Sequence, residues 1–317
     1  MKIHYREKNG EIEIVRCFGS DPDIVLPAGI DGKPVTSASA YAFSEKKEKE
    51  EEDVFVFEQE EHRIFREEER LIAGEYLESV SFPDTMESIG NYIFYGCRNL
   101  KKLRFPNRMM QVGSGAFTGC RSLCSLEIRM VSGKKTCAKE ILGDLWQRID
   151  ISFASEESEA RLVFPEHYEE AVENTPARIL FTQHHGSGNN YRQCFYNRET
   201  DYKKYDALFA VAKVYDRPDV LTDMALARLM HPEGLAQDAK ERYWEYLGEH
   251  GKEAVGHLVG CDRLKELYFL SEQGRWTEEA LEYATEQAAK LKRQEILSFL
   301  MNEKYRLFPP KRKRFEL

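Results

Sequence analysis

A strict register constrains this chain more than any other feature. Leu77, Leu100 and Leu123 are equally spaced, and Phe94 and Phe117 keep the same step. Further sets share it: Val80, Leu103 and Leu126; Phe82, Phe105 and Ile128; Pro83 and Pro106; Ile89 and Val112; Gly90 and Gly113. A fixed period of about 23 residues is typical of stacked repeats, each of which buries its apolar edge against its neighbours. The register therefore predicts a solenoid.

Each repeat has the pattern of a short strand followed by a turn. Leu103 and Phe105 are apolar, and the charged residues Lys102 and Arg104 alternate with them. This period of two is typical of a strand with one buried face. Pro106 follows and ends the strand, because proline has no N–H to donate to a ladder. Stacking such units predicts a parallel sheet, with looser turns on the other side.

Two segments, 82–94 and 115–123, resemble the BspA-type leucine-rich repeat. That family has a period of about 23 residues. It also has a proline after the strand, an aromatic turn and a closing Gly-Cys pair, here at 96–97 and 119–120. The resemblance extends over roughly residues 10–165. An earlier partial repeat at 35–43 aligns with 86–94, and 162–165 echoes 103–106 as the expected last strand of the stack. The resemblance implies binding or adhesion rather than catalysis.

The spacing of apolar residues changes from two to 3.6 near residue 200, which predicts helices. Pro218 and Thr277 have the residue types of helix starts. Residues 253–259 align with 295–301 at an offset of 42, and 280–301 resembles an ankyrin helix pair without the Thr-Pro-Leu-His start; a generic stack of helix hairpins is the alternative. The expected fold class is α+β, an N-terminal leucine-rich-repeat solenoid followed by an all-α helical repeat domain. The predicted segments are a solenoid at 1–165 with an acidic insertion at 44–75, a connector at 166–200, a helical domain at 201–308 and a basic tail at 309–317.

Composition excludes several classes of function. The net charge of −9 argues against a general nucleic-acid surface, which needs clustered Lys and Arg. No run of about 18 apolar residues predicts a membrane helix, and charge within residues 1–8, where a signal peptide has its apolar segment, favours a cytoplasmic protein. The seven cysteines are odd in number and are expected to be reduced core residues. We expect no cofactor and no metal.

The connector concentrates residues that could carry chemistry. A thiolate nucleophile at Cys194 lacks an evident orienting group, and adjacent histidines on a strand face opposite sides, which disfavours a shared metal ion. We favour a glycine-dependent turn at 186–188, with Tyr191, Arg192 and Phe195 docking the two domains. The alternative is an enzyme or ligand-binding site. Its candidate residues are His184, His185, Arg192 and Cys194.

The outward positions of the predicted strands form a mixed polar row. They are Ser79, Ser81, Lys102, Arg104, Ser125 and Glu127. A polar row on a solenoid sheet suits the recognition of a protein partner, although ordinary solvated surface has the same composition. The expected function is therefore non-catalytic protein–protein interaction or scaffolding, with no nucleic acid and no membrane span. An exported surface adhesin whose leader is absent from this chain is a further alternative.

Overall fold

The computed structural model describes residues 1–46, 53–58, 70–174 and 179–309. Most of the predicted acidic insertion and all but the first residue of the predicted basic tail therefore lie outside the described residues. The chain divides into two compact units, Met1–Val211 and Ala212–Leu317. The first contains the sheets and the second contains helices, so the predicted α+β class is confirmed.

Strands and helices are numbered in chain order. The strands are β1 (Lys2–Lys8), β2 (Glu11–Gly19), β3 (Asp23–Val25), β4 (Gly29–Ile30), β5 (Lys33–Ala38), β6 (Phe55–Glu58), β7 (Arg70–Leu71), β8 (Ser79–Ser81), β9 (Ser88–Ile89), β10 (Lys102–Pro106), β11 (Gln111–Val112), β12 (Ser125–Arg129), β13 (Ile149–Ala154), β14 (Glu159–Phe164), β15 (Tyr168–Asn174), β16 (Ile179–His185), β17 (Phe195–Tyr196) and β18 (Glu199–Thr200). The helices are α1 (Ala138–Gly143), α2 (Gly188–Tyr191), α3 (Tyr202–Ala207), α4 (Phe209–Tyr215), α5 (Pro218–Met230), α6 (Gln237–Glu249), α7 (Gly251–Gly260), α8 (Leu264–Glu272), α9 (Glu278–Lys290) and α10 (Gln294–Leu307).

Two sheets carry the repeats of the first unit. One has the order β14-β13-β12-β10-β8-β3, and the other has β11-β9-β5-β2-β1-β6 with β4 and β7 attached. In the first sheet β8, β10 and β12 are parallel, and Val80, Leu103 and Leu126 are direct partners. The constant step of the sequence is therefore the register of the parallel ladder, and the predicted solenoid is confirmed. The early repeat at 35–43 is confirmed as well, because β5 pairs with β9 in the predicted alignment.

The end of the first sheet differs from the prediction. β14 pairs with β13 in the antiparallel direction, with Leu162 beside Ile151. The expectation that 162–165 forms the last repeat strand is wrong, and β13 is the last parallel strand. The reason is the tight turn at 155–158, in which the Ser155 amide donates to the Ser158 carbonyl at 2.9 Å. A connection this short joins only antiparallel neighbours.

Phenylalanines and cysteines of successive repeats contact each other in the core of the solenoid. Phe94 lies between Phe43 and Phe117, with ring centroids 5.5 Å away on each side. The thiols of Cys97 and Cys120 donate to carbonyls of the preceding repeats, at 3.1 and 3.3 Å. Both cysteines are buried and free, as predicted, whereas Cys124 and Cys261 are exposed, so the prediction of core positions is wrong for those two. The aromatic stack and the thiol hydrogen bonds therefore join successive repeats on the turn side of the solenoid.

The second unit contains helix pairs with a repeated turn. Asp262 and Lys292 both have positive φ angles, of 59° and 56°. The residue after each, Arg263 or Arg293, donates its amide to a carbonyl five residues back, at 2.8 and 2.9 Å. The same turn follows α8, where Gly274 has a φ angle of 63° and the Arg275 amide donates to the Leu270 carbonyl at 2.9 Å. It therefore ends three successive helices, and the sequence offset of 42 stays a prediction. The cap at Thr277 is confirmed, because its hydroxyl accepts from the Ala280 amide at 3.1 Å.

Candidate functional site on the outer face of the sheet

The outer face is the set of side chains that alternate with the core residues of β8, β10 and β12. The parallel register brings all six residues predicted for this face together in two rows. One row is Ser79, Lys102 and Ser125, and the other is Ser81, Arg104 and Glu127. Because residues two apart on a strand share a face, the two rows lie side by side.

The rows continue onto strands that the constant sequence step does not reach. Asp23 of β3 pairs with Ser79, and Asp150 of β13 pairs with Ser125. Neither pair is separated in the sequence by one repeat length, and so the repeat pattern did not identify these two carboxylates. The Ser79 hydroxyl donates to Asp23 at 2.5 Å. Arg148 holds Asp150 through two hydrogen bonds, at 2.8 and 2.9 Å.

An ionic network occupies the centre of the face. The Arg104 guanidinium donates from Nε to the Glu127 carboxylate at 2.6 Å, and Lys102 Nζ pairs with the second carboxylate oxygen. Burial raises the pKa of the Glu127 carboxyl, but hydrogen bonds from Lys102 and Arg104 outweigh it and hold the pKa below its ordinary value. The side chains of Lys102 and Arg104 remain 44% and 48% exposed. The network therefore presents two accessible cations that share one carboxylate.

Arg192 of the connector has a structural position. It is only 5% exposed, and its guanidinium donates to the carbonyls of Leu142, Leu145, Pro165 and Gln147 at 2.7–3.2 Å. Burial lowers the pKa of the guanidinium to about 10. Because its donors are directed to backbone oxygens, Arg192 ties together the segments around the end of the sheet.

The aromatic neighbours of Arg192 act in the same region. The Tyr191 ring packs against Tyr205 of α3 at 4.8 Å, and Phe195 stacks on Phe164 of β14 at 5.8 Å. The Tyr205 hydroxyl donates to the Val163 carbonyl at 2.7 Å. These contacts dock α3 on the end of the sheet. They lie inside the first compact unit, which extends to Val211 and so includes the first helix of the predicted helical domain at 201–308.

Two of the candidate residues, His184 and His185, lie on the hairpin formed by β15 and β16. His184 Nδ1 is 3.3 Å from Glu169 Oε1, and His185 Nε2 is 3.3 Å from Glu170 Oε2. The His185 ring also stacks on Tyr168 at 4.4 Å. Each histidine thus lies within ion-pair distance of a separate carboxylate across the hairpin.

Cys194 lies apart from the histidines. Its thiol is fully buried, and burial raises the pKa of the thiol to about 12. Among the described residues no hydrogen bond or ion pair joins His184 or His185 to Arg192 or Cys194. No such bond therefore supports a shared site, and a protonated, buried thiol is a poor nucleophile.

The described part of the chain has neither a cluster of metal ligands nor a membrane-spanning helix. No group of three His, Cys, Asp or Glu side chains there has the arrangement of a metal site. No helix there has the length and apolar character needed to cross a membrane.

Comparisons with known proteins agree with the repeat architecture. The family described as BspA type leucine rich repeat region (6 copies) matches residues 69–143, which contain β8 to β12. A leucine rich cell surface protein from Faecalibacterium prausnitzii is 21% identical, over 40% of this chain and 31% of that one, with a TM-score of 0.27. A leucine rich repeat protein of T. pallidum is 22% identical, over 41% of this chain and 70% of that one, with a TM-score of 0.20. No curated protein matches the chain. The family match confirms the predicted leucine-rich repeat over 69–143.

Proposed function

We propose that this chain is a non-catalytic interaction protein that binds a protein partner on the outer face of its parallel sheet. Leucine-rich-repeat proteins typically mediate protein–protein interaction or surface functions, and residues 69–143 match such a repeat. The observation that carries the proposal is the alignment of six polar side chains in two adjacent rows. Repeats stacked in this way provide an extended binding surface.

The chemistry of the face indicates what the partner offers. Lys102 and Arg104 are half exposed and share the single carboxylate of Glu127, so the centre of the face carries one uncompensated positive charge. Serines flank this centre in both rows. A partner with an acidic side chain among hydrogen-bonding groups is complementary, because a carboxylate can accept from the exposed donors of both cations.

The connector supports the absence of catalysis in this proposal. Cys194 is buried, Arg192 is directed to backbone carbonyls, and His184 and His185 face separate carboxylates. None of these groups has the mutual geometry of a nucleophile and a base.

We also propose that the second unit is an ankyrin-like stack that offers another interaction surface, which makes the protein a scaffold. One support is that three successive helices end in the same turn, at Asp262, Gly274 and Lys292, with a positive φ and the same backbone hydrogen bond. The pairing of α7 with α9 and of α9 with α10 fits a stack of helix hairpins. Cytoplasmic placement of this scaffold stays a prediction.

The test uses substitutions that the fold already accepts. K102S/R104S gives β10 the serines that β8 has at Ser79 and Ser81, so the strand itself is preserved. The control R98S/R121S removes two exposed positive charges from equivalent turns outside the face. Full-length tagged protein is used to capture partners from the lysate of the source organism, and each captured protein is quantified by mass spectrometry.

We expect one partner to be captured by the wild type and by R98S/R121S and to fall by about tenfold with K102S/R104S. Two lost charge-assisted contacts account for a change of about 1.4 kcal/mol or more. Equal capture by all three proteins would rule out the outer face as the binding surface.

A further inference from the structure

A cysteine, a histidine and a buried aspartate meet at the C-terminal end of α7. The Cys261 Sγ atom is 3.7 Å from Nδ1 of His257, one helical turn earlier. His257 Nε2 is 3.0 Å from Oδ1 of Asp223 on α5, and the Asp223 side chain is only 5% exposed. Cys261 itself is exposed. The proposed binding function uses none of these three side chains.

The hydrogen-bond roles within this cluster follow from the buried carboxylate. An ionised carboxylate can only accept hydrogen bonds. Asp223 also accepts one from the Arg263 guanidinium, at 3.4 Å. His257 Nε2 therefore carries the proton that it donates to Asp223. In the neutral imidazole Nδ1 then has a free lone pair, and it faces the thiol. The chain of donors thus runs from the Cys261 S–H to His257 and from His257 to Asp223.

An arginine satisfies a carbonyl at the helix end that carries the thiol, and Asp262 balances its charge. The C-terminus of a helix presents unpaired carbonyls, which disfavour a nearby thiolate. Here the Arg293 guanidinium donates to the Gly260 carbonyl at 3.1 Å and to Asp262 at 3.2 Å, on either side of Cys261 in the sequence. Reactive cysteines are typically exposed and next to a histidine, as Cys261 is.

We propose that Cys261 is a histidine-activated thiol that forms a mixed disulfide with low-molecular-weight disulfides. The thiol proton passes to His257 Nδ1, and the thiolate attacks one sulfur of the disulfide. A new S–S bond forms at Cys261 as the old S–S bond breaks, and its electron pair leaves on the second sulfur. That thiolate takes the proton from His257. Asp223 orients the imidazole and stabilises its charged form while it holds the proton.

The other cysteines provide internal comparisons. Cys124 is exposed, but its thiol contacts the Lys101 carbonyl at 3.5 Å, and burial raises its pKa. The remaining five, Cys17, Cys97, Cys120, Cys137 and Cys194, are buried. In the part of the chain that the structure describes, Cys261 is the cysteine with a histidine nitrogen within 4 Å of its sulfur.

The test measures mixed-disulfide formation with oxidised glutathione at pH 7. Full-length protein with C124S leaves Cys261 as the one exposed thiol, and the modified residue is identified by mass spectrometry. H257Q keeps an N–H donor for Asp223 and removes the base. An unassisted thiol is only a few per cent ionised at pH 7, so we expect H257Q to slow the reaction of Cys261 by about tenfold. C261S should abolish the reaction.

Two results would overturn the proposal. One is a rate for H257Q within twofold of the rate of the C124S parent. The other does not depend on the variant: the Cys261 rate in the parent should exceed that of N-acetylcysteine by about tenfold, and an equal or lower rate excludes activation. If the buried cysteines of H257Q also react, that variant is unfolded. The proposal is then judged from the rate of Cys261 in the C124S parent against the rate of N-acetylcysteine.

Discussion

Substitution of Gly113 by alanine tests how closely the repeats of the solenoid approach each other. A Cβ at Gly113 would lie 2.3 Å from the Asn91 amide nitrogen and 2.3 Å from the Gly90 carbonyl carbon. Real Cβ contacts essentially never fall below 3.0 Å. Both atoms are backbone of the preceding repeat, so no side-chain rotation relieves the overlap, and the two repeats must separate by about 1 Å.

The cost of G113A follows from two contributions. Forced overpacking of a core costs about 1–3 kcal/mol. The separation also weakens the hydrogen bond from the Gly113 amide to the Ile89 carbonyl, now 2.9 Å, which is worth about 1 kcal/mol. We therefore expect G113A to lower the free energy of unfolding of the first unit by about 2–4 kcal/mol. For a unit of this size the midpoint temperature should fall by roughly 5–15 °C.

The assay is thermal unfolding of the full chain, with hydrogen exchange of peptides from β10 to report the first unit separately. G143A is the matched control, because Gly143 ends α1 and a Cβ added there would have no atom within 4 Å. We expect G143A to be neutral or to stabilise by up to about 1 kcal/mol. A G113A protein within about 0.5 kcal/mol of the wild type would refute the close approach of the repeats.

Three further substitutions test separate contacts. E127Q should lower the free energy of unfolding by at most about 1 kcal/mol, since the basic partners of Glu127 are half exposed. Because the pKa of Glu127 is lowered in the folded state, this loss of stability should be complete above pH 4.5 and should vanish as the pH falls through the folded pKa. Urea titrations at several pH values measure it, and a loss of stability that grows on acidification would contradict the prediction. R192M should cost about 3 kcal/mol or more in the same assay, because it leaves several buried carbonyls without a donor; a loss below about 1 kcal/mol would exclude that role. T277A should lower the free energy of unfolding by about 1 kcal/mol, because it removes the N-terminal cap of α9. The control T285A, within α9, should change it by less than about 0.5 kcal/mol. Equal effects of the two substitutions in thermal unfolding would count against capping.

The sequence predicted most reliably those features that depend on the repeat itself. The constant step placed Lys102 beside Ser79 and Ser125 because each repeat has the same length, and strand pairing then preserves the sequence spacing. The early repeat at 35–43 followed from the same logic, through its Phe and its alternating small residues.

Features that depend on irregular connections were not predictable in this way. Asp23 and Asp150 extend the rows of the face across offsets that no repeat shares. The antiparallel direction of β14 depends on a four-residue turn. The partners of Arg192 are backbone carbonyls, which every residue has and which a pattern of side chains therefore cannot predict. The sequence could have predicted only part of the cluster at Cys261. His257 is four residues away on the same helix, but Asp223 is on another helix.

The parallel register of the outer face is the claim on which the proposed function depends, and disulfide trapping measures it directly. In a C124S/C261S background, S81C/R104C places two cysteines on neighbouring strands, about 4.8 Å apart, and S81C/E127C places them two strands apart, at about 10 Å. Disulfides do not form across Cα separations above about 7 Å. On mild oxidation S81C/R104C should cross-link and S81C/E127C should stay reduced. Cross-linking of S81C/E127C without cross-linking of S81C/R104C would contradict the register.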